Sequence, residues 1–153
     1  MMSASGKLRK GGGEASMAKA TKDLAVGQEI PSLTRQVTLE KMKLYSGWPR
    51  KNIHTDDDLA KSTGLPRAIL QGLQSHAYIS KMLTDFFGEG WLKGGKLEVT
   101  FIQYGLPGDT VTCKGIVRER KAEGEAVRCT LEVWCENQRG EKITVGTASA
   151  LMR

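Results

Sequence analysis

The chain has 153 residues, of which 39% are hydrophobic and 26% charged, and it carries a formal net charge of +6 at pH 7. This length and balance predict one soluble globular domain that buries a core of its own. No apolar run approaches the roughly 20 residues that cross a bilayer, and the polar, glycine-rich N-terminus has no signal-peptide core. We therefore expect no membrane partner.

The positive charge has two interpretations. One is nucleic-acid binding. The other is a basic N-terminal segment that carries much of the excess, through Lys7, Arg9, Lys10, Lys19 and Lys22. The second is favoured because no basic stripe is interleaved with the aromatic residues that base stacking requires. We therefore expect no nucleic-acid partner, although a mild positive field still favours an anionic ligand.

Residues 1–24 are rich in Gly, Lys and Ala and poor in apolar residues. Such a composition buries too little surface to become ordered. We predict a flexible basic N-terminal segment at 1–24 and a folded domain at 25–153. The domain opens with a turn at 26–31 and a first strand near 33–37.

Two short helices are predicted next. Thr38 is suited to cap a helix that runs to about Ser46, and a loop follows at 47–51. The run Thr55–Asp58 resembles a capping box with aspartate in place of glutamate, and it starts a second helix. Gly64 stands where a helix commonly ends.

The centre of the chain is the step from Pro66 to Gly72. Pro66 disfavours a helical conformation for the residue before it. After Gly72, apolar residues recur at helical spacing as far as Phe87, before Gly88. A glycine at the start of a buried helix lets a ligand approach free N–H groups at the positive end of the helix dipole. Because His54, one of two histidines, precedes this step, we predict a carbonyl-binding helix end with a proton-transfer group beside it.

Beyond the central helix, apolar residues recur at every second position. Four such stretches, at 96–104, 110–120, 125–136 and 142–151, are separated by short polar turns. This period predicts an antiparallel meander with one face buried. The central helix is apolar round much of its circumference, so it should be enclosed. We predict an α+β architecture in which a strongly curved sheet wraps one long helix.

The three cysteines, Cys113, Cys129 and Cys135, fall within these strands. An odd number without a Cys-x-x-Cys spacing argues against a disulfide framework and against a zinc site, so no metal is expected. Buried free thiols are typical of a reducing compartment, which favours a cytoplasmic location.

Spaced motifs in the domain resemble the MaoC-like hydratase/dehydratase family. They are Ser46-Gly47, Asn52-Ile53-His54-Thr55-Asp56, Ala60, Gly64-Leu65-Pro66, Ile69-Leu70-Gln71-Gly72, Val99-Thr100-Phe101 and Pro107-Gly108-Asp109-Thr110-Val111. The resemblance runs from about Asp23 to the C-terminus. It implies the hot-dog fold, in which a curved antiparallel sheet wraps a long central helix, and a homodimer or higher homo-oligomer. Since the best-known members are (R)-specific enoyl-CoA hydratases, it also implies an acyl-CoA or acyl-carrier-protein thioester as the partner, and no cofactor beyond the coenzyme A of that substrate.

The hydratase motif of this family reads Asp-x-Asn-Pro-x-His. His54 matches its histidine, whereas Pro49 stands where the aspartate would be and Lys51-Asn52 where the Asn-Pro pair would be. A second motif, His-Gly before the central helix, is Gln71-Gly72 here. The resemblance therefore implies that Gly72 donates its N–H to the thioester carbonyl and that His54 acts on a water, with the usual aspartate unmatched.

Each candidate also has a purely structural interpretation. Gly72 could serve only close backbone packing, and His54 could only tie down a loop through hydrogen bonds. Given the resemblance, we favour catalytic roles for both. An imidazole without a carboxylate partner is a weaker base. Asn52, Ser46 or Gln71 could orient it or the water, and we include Asn52 and Gln71 among the predicted substrate-binding residues.

Two further residues, Trp48 and Arg67, complete the predicted substrate-binding set. The aromatic residues suited to an acyl pocket, or else to core and dimer packing, are Trp48, Trp91 and Tyr104. Arg67 and Lys93 suit coenzyme phosphates, or else are solvated charges. The second histidine, His76, lies inside the central helix and is assigned a structural role.

Three functions are compatible with these residues. The first is a hydro-lyase, a hydratase or dehydratase of the enoyl-CoA hydratase type, acting on an enoyl- or 3-hydroxyacyl-thioester. The second is an acyl-CoA thioesterase, which shares the fold but needs a carboxylate near the central helix. Helix capping explains the carboxylates at 56–58 better. The third is a non-catalytic acyl-CoA-binding subunit, which the unmatched aspartate favours.

Overall fold

The computed structural model describes residues 19–153. Its helices and strands, in chain order, are β1 (Leu33–Gln36), α1 (Leu39–Tyr45), α2 (Asp57–Ser62), α3 (Gly72–Phe87), α4 (Glu89–Leu92), β2 (Lys96–Phe101), β3 (Thr110–Glu123), β4 (Ala126–Glu136) and β5 (Lys142–Met152). The five strands form one antiparallel sheet in the order β1-β3-β4-β5-β2. β1 and β2 are therefore its edges.

The sheet curves, and its concave face is buried. Alternate residues of the two central strands contribute to the core, namely Val111, Cys113, Val117, Cys129, Leu131, Val133 and Cys135. This alternation follows from the two-residue period of a strand. The register shifts between Val117 and Glu119 and between Cys135 and Glu136. Such bulges bend the strand that contains them, which allows a long sheet to wrap.

Helix α3 fills the concave face. Its buried residues are Gln74, Ser75, Ile79, Met82, Leu83, Phe86 and Phe87. The helix ends at Gly88, whose φ of +56° favours glycine and whose N–H donates to the Thr84 carbonyl at 2.9 Å. The predicted central helix and its enclosure by the sheet are therefore both present.

The predicted meander is wrong for its first strand, because β2 pairs with β5 and β1 takes the place beside β3. The other predicted elements differ from the structure only at their ends. Thr38 caps α1 through a hydrogen bond from the Lys41 N–H at 3.2 Å, and Gly64 follows α2 with φ of +91°. The stretch predicted as strand at 96–104 ends early as β2. The N–H groups of Ile102 and Gln103 both donate to the Ile143 carbonyl, so the regular ladder stops there.

The predicted capping box at Thr55–Asp58 is wrong by one residue. Asp56 caps α2, because its Oδ1 accepts the Leu59 N–H at 2.7 Å. Thr55 is buried instead, and its hydroxyl accepts the Asn52 N–H at 2.9 Å. Helix α4 was not predicted, since a single turn carries too little periodicity to register.

Residues 19–24, assigned from sequence to the flexible segment, lie against the domain. The Ala20 N–H donates to the Phe86 carbonyl at 2.9 Å, and Leu24 belongs to the core. The boundary predicted at residue 24 therefore falls inside packed structure. The remainder of that predicted segment, 1–18, lies outside the described residues.

Two expectations from composition bear on the described part of the chain. All three cysteines are buried and free, as their positions in strands predicted. Between residues 19 and 153, no helix has both the length and the apolar content needed to cross a membrane.

Candidate active site

A cleft of about 320 Å³ opens where the start of α3 meets the ends of β2 and β5. Its mouth includes the exposed residues Ile102 to Tyr104, and its deep end includes the buried side chains of Ser75 and Thr144. His54 and Gly72 both line it. The structure therefore brings the two residues predicted to be catalytic to the same cleft.

The His54 imidazole is hydrogen-bonded through one of its two ring nitrogens. Its Nδ1 lies 2.9 Å from the Ile69 carbonyl oxygen, and its backbone N–H donates to Asn52 Oδ1 at 2.9 Å. A carbonyl oxygen only accepts hydrogen bonds, so in the neutral imidazole Nδ1 carries the proton and Nε2 has the lone pair. No group within residues 19–153 is hydrogen-bonded to Nε2. This tautomer makes His54 suited to accept a proton.

Asn52 supports the loop instead of lining the cleft. Its Nδ2 donates to the Ser46 carbonyl at 3.1 Å, while its Oδ1 accepts the His54 N–H. Both ends of the amide are therefore engaged within the loop that carries the imidazole. Asn52 is not among the residues that line the cleft, and its side chain positions the backbone of His54.

Gly72 is the first residue of α3, where a backbone N–H has no partner within the helix. Among the described residues, no acceptor is hydrogen-bonded to this N–H. The glycine is also packed closely, since a Cβ built on it would lie 2.9 Å from the ring of Phe101. Close packing and an open N–H, the two interpretations of this glycine, coexist in the structure.

Gln71 lines the cleft next to Gly72. Its Oε1 accepts a hydrogen bond from the Ser46 hydroxyl at 2.8 Å. This contact orients the amide, and within the described residues its NH₂ group has no hydrogen-bond acceptor. Gln71 is thus a donor at the cleft wall, as its predicted role in substrate binding requires.

The deep end of the cleft is a pair of hydroxyl groups. Ser75 Oγ lies 2.8 Å from the Gly72 carbonyl oxygen and 2.7 Å from Thr144 Oγ1. Because the carbonyl only accepts, the Ser75 hydroxyl donates to it and the Thr144 hydroxyl donates to Ser75. These two hydrogen bonds use the donor of each hydroxyl group and connect the first turn of α3 to β5.

Arg67 lies outside the cleft, so its predicted role in substrate binding is not supported. Its guanidinium pairs with Asp57, with Nε 3.4 Å from Oδ1. The same Asp57 oxygen accepts the Ala68 N–H at 2.8 Å. That backbone hydrogen bond, followed by the nearby charges of Arg67 and Lys61, holds the pKa of Asp57 below its usual value against the opposing effect of desolvation. These contacts anchor the segment that leads to Gly72.

Trp48 is likewise not brought to the cleft. It is exposed on the outer side of α1, where the ammonium of Lys43 lies 4.3 Å from the centre of its ring. From its sequence, Trp48 suits either an acyl pocket or core and dimer packing. Sequence gives no sign of the direction in which a loop tryptophan points.

The cleft contains no carboxylate among its lining residues in the described chain. Of the other residues considered from sequence, Tyr104 lines the mouth. Trp91 instead donates from Nε1 to Ser80 at 3.1 Å, and Lys93 pairs with Glu89 at 3.3 Å. His76 does not line the cleft either.

Sequence reasoning missed Ser75, Thr144 and Phe101 as parts of the site. Ser75 is a polar residue in the buried stripe of a helix, and Thr144 is one on the core side of a strand. A polar residue at a core position is a usable signal, because buried polar groups need partners. For Phe101, the signal was its place in the Val99-Thr100-Phe101 motif.

A model of the MaoC-like domain family matches residues 22–146. No curated protein matches the chain in a direct comparison of sequences. The matched range contains every residue of the cleft described above.

Several solved structures resemble this one. A MaoC-like dehydratase from Rhodospirillum rubrum has a TM-score of 0.73 at 20% identity, over 85% of this chain and 93% of its own. The (R)-hydratase from A. caviae has a TM-score of 0.69 at 21% identity, over 87% and 100%. The R-hydratase PhaJ1 from Pseudomonas aeruginosa has a TM-score of 0.66 at 25% identity, over 83% and 81%. The predicted hot-dog fold is thereby confirmed, and the chain belongs to the MaoC-like domain family.

Proposed function

We propose that this protein is a hydro-lyase that adds water to an enoyl-thioester, or removes it from a 3-hydroxyacyl-thioester. One observation carries the proposal: the open N–H of Gly72 and the Nε2 lone pair of His54 belong to residues that line one cleft. The likeness to two solved structures of (R)-hydratases supports it.

The role assigned to each group follows from where negative charge develops on the substrate during hydration. In hydration, the thioester oxygen accepts the Gly72 N–H, and His54 Nε2 takes a proton from water as the oxygen of that water bonds to C3. Negative charge then rests on the thioester oxygen, where a preorganised donor is worth about 2.7–4 kcal/mol. The protonated His54 returns a proton to C2, so that one water has been added across the double bond.

Gln71 is the group we assign to hold the water. Its amide is fixed by Ser46 with the NH₂ end unpaired, so it can donate to a water oxygen. An amide cannot accept a proton, unlike the carboxylate that the family motif has. All proton transfer in this cleft therefore falls on His54.

The cleft mouth suggests how the protein assembles. β2 is an edge strand bonded only to β5, and Phe101, Ile102 and Tyr104 are exposed apolar residues beside the mouth. Unpaired strand edges and exposed apolar patches are sites of association. We propose a homodimer, or a higher homo-oligomer, in which a second copy covers this edge. Light scattering would show a monomer if this is wrong, and Ile102→Lys is expected to dissociate the assembly.

The reaction is tested with enoyl-thioesters of different chain length, by following the loss of the conjugated enoyl absorbance. His54→Gln is expected to lower kcat by about 10²–10⁴, the usual contribution of a positioned acid–base group. His76→Gln is the matched control, since it removes the other histidine and leaves the cleft unchanged. Absence of turnover with every chain length in the folded wild-type protein would reject the proposal.

A second candidate is a non-catalytic acyl-thioester-binding subunit. The observation that favours it is the lack of a carboxylate among the described residues of the cleft. It predicts saturable binding of a saturated acyl-CoA together with no conversion of any enoyl-thioester. Binding without turnover that is lost in Gly72→Ala and unaffected in His54→Gln would establish this alternative.

A further inference from the structure

A second group of exposed apolar side chains lies on and beside α1, apart from the residues that line the cleft. It consists of Leu44, Tyr45, Trp48 and Leu73. Leu44 is 79% exposed and stands between two hollows of about 440 and 230 Å³, both of which it lines. Contiguous exposed apolar groups of this kind mark interaction surfaces in soluble proteins. We refer to this group and the charges around it as the α1 surface.

The α1 surface is basic, because Arg35, Lys41 and Lys43 line its two hollows beside a single carboxylate, that of Glu40. Residues 35–51 contain five basic residues, Arg35, Lys41, Lys43, Arg50 and Lys51, and one acidic residue, Glu40. This one stretch therefore has a net charge of +4, against +6 for the whole chain. Within the described residues, only Lys51 of the five forms an ion pair, with Asp56 at 3.8 Å. The other four cations form no ion pair with a carboxylate of residues 19–153.

A buried amide at the base of the larger hollow also lacks a partner. Gln74 lines this hollow and is 4% exposed, and its Oε1 has no hydrogen-bond partner among residues 19–153. Its Nε2 donates to the Tyr78 hydroxyl at 2.8 Å. If the amide turns over, Tyr78 can donate to Oε1, and the NH₂ end is then free to donate. In either orientation one end of a buried amide is unpaired, which is unfavourable in the free protein.

The α1 surface is joined to the candidate active site through hydrogen bonds. The Tyr45 hydroxyl donates to the Leu73 carbonyl at 2.9 Å, in the first turn of α3. The next residue, Ser46, donates to Gln71 at 2.8 Å. A partner bound to α1 would therefore lie against the same segment that holds Gln71 and Gly72 at the cleft.

We propose that the α1 surface docks an acidic carrier protein, which presents the acyl thioester to the cleft on its flexible prosthetic arm. This inference rests on the proposed function and specifies its substrate class. Positive charge around an apolar centre matches the make-up of a protein–protein interface, with a hydrophobic core and a polar rim. The phosphates of free coenzyme A would engage the cations but would leave the four apolar side chains exposed. A carrier protein with acidic and apolar residues on one helix would cover both.

Three crotonyl thioesters test the proposal: one on an acyl carrier protein, one on coenzyme A and one on N-acetylcysteamine. Lys41→Glu reverses one charge of the α1 surface, and it places a carboxylate three residues after the Thr38 cap, where a glutamate favours the helix. We expect it to lower kcat/KM for the carrier thioester by about tenfold, mainly through KM and more steeply at low salt. The two smaller thioesters should change less than about twofold. Lys121→Glu, a reversal at the exposed end of β3, is the matched control.

Three results would overturn the docking proposal while leaving the proposed function intact. The first is a carrier thioester that is no better a substrate than the coenzyme A thioester. The second is an equal loss of kcat/KM with all three substrates in Lys41→Glu. The third is a loss confined to the coenzyme A thioester, which would assign the cations to its phosphates.

Direct binding separates docking from turnover. The carrier protein loaded with a saturated butyryl group is titrated into wild type, Lys41→Glu and Lys121→Glu by calorimetry. Weaker binding in Lys41→Glu alone supports docking even if no thioester is converted, in which case the proposed function fails by itself. Absence of saturable binding to the wild type at low salt overturns the docking proposal whatever the kinetics show.

Discussion

The ring of Phe101 packs directly on the backbone of Gly72. A Cβ built on Gly72 would lie 2.9 Å from the ring atoms Cγ, Cδ2 and Cε2. Phe101 is the last residue of β2, and its side chain is 49% exposed. One glycine therefore lets the edge strand approach the start of α3, where the glycine N–H has no acceptor among residues 19–153.

Gly72→Ala is expected to reduce hydration activity by about 10²–10³, the usual effect of losing one oxyanion donor. The added methyl group displaces the Phe101 ring, which also lines the cleft, and it crowds the approach of a substrate carbonyl to the N–H. The free energy of unfolding should change little, because alanine favours a helix by up to about 1 kcal/mol over glycine and offsets the strain. Steady-state kinetics and urea unfolding of the variant measure the two effects.

The double variant Gly72→Ala/Phe101→Leu separates packing from catalysis. Leucine is smaller than phenylalanine, so the contact is relieved and any lost stability should return. Activity should stay low, since the methyl group still crowds the approach of a substrate carbonyl to the N–H. Recovery of activity together with stability would show that Gly72 serves packing alone.

Most of the fold could be predicted from the sequence, because the apolar patterns that define its helix and strands are local and repeated. Period-two alternation predicts all four strands after the central helix, and the short turns predict a meander. The meander is correct for β3, β4 and β5 and wrong for β2, which pairs with β5 at the far edge of the sheet because pairing partners depend on long-range contacts that no local pattern encodes. The central helix was bounded correctly by Gly72 and Gly88. Helix α4 is a single turn and the cap of α2 is a single side chain. Neither repeats along the chain, so no sequence pattern shows them.

The predicted site residues that line the cleft, His54, Gln71 and Gly72, all belong to the family motifs. Gly72 begins a helix and His54 lies in a loop that the family motif fixes, and both reach the cleft. Arg67 and Trp48 were assigned by side-chain type alone, and neither reaches it. Arg67 is held by Asp57 at 3.4 Å, a contact that depends on how α2 packs and that no local pattern encodes.

Asp57→Asn should destabilise the protein in a pH-dependent way. The pKa of Asp57 is lowered, chiefly by the Ala68 N–H, so the ionised carboxylate is favoured in the folded state. Its contribution is fully present above the unfolded value near 3.8 and is lost as pH falls through the lower folded value. Because the group is partly exposed at a helix N-terminus, the effect should be below about 1 kcal/mol.

Urea unfolding of wild type and Asp57→Asn between pH 3 and pH 7 measures this difference. The wild type should be the more stable near neutrality, and the two curves should converge at the acid end. Asp58→Asn, at the next position of the same helix, is a suitable control. A difference that stays constant over the whole range would mean that Asp57 contributes through shape and not through charge.

The three cysteines should be unreactive in the folded protein. All are fully buried, and burial raises the pKa of Cys129 to about 11. The Cys135 thiol lies 2.8 Å from Cys113 across β3 and β4, and this contact together with burial raises its pKa as well. At pH 8, Ellman's reagent should therefore titrate no thiol in buffer and three in denaturant, because only the thiolate reacts. Rapid reaction of one thiol in buffer would show that β3 and β4 open locally.

Leu131→Ala is expected to lower the free energy of unfolding by about 2–5 kcal/mol, the range for a large residue removed from a packed core. Leu131 is fully buried on β4, opposite Val117 on one side and Ala148 on the other. Leu44→Ala makes the same chemical change at an exposed position of α1 and should alter stability by less than about 0.5 kcal/mol. Urea unfolding of both variants gives the comparison. Similar values for the two would contradict the assignment of Leu131 to the layer between sheet and central helix, because only a buried side chain leaves a cavity behind.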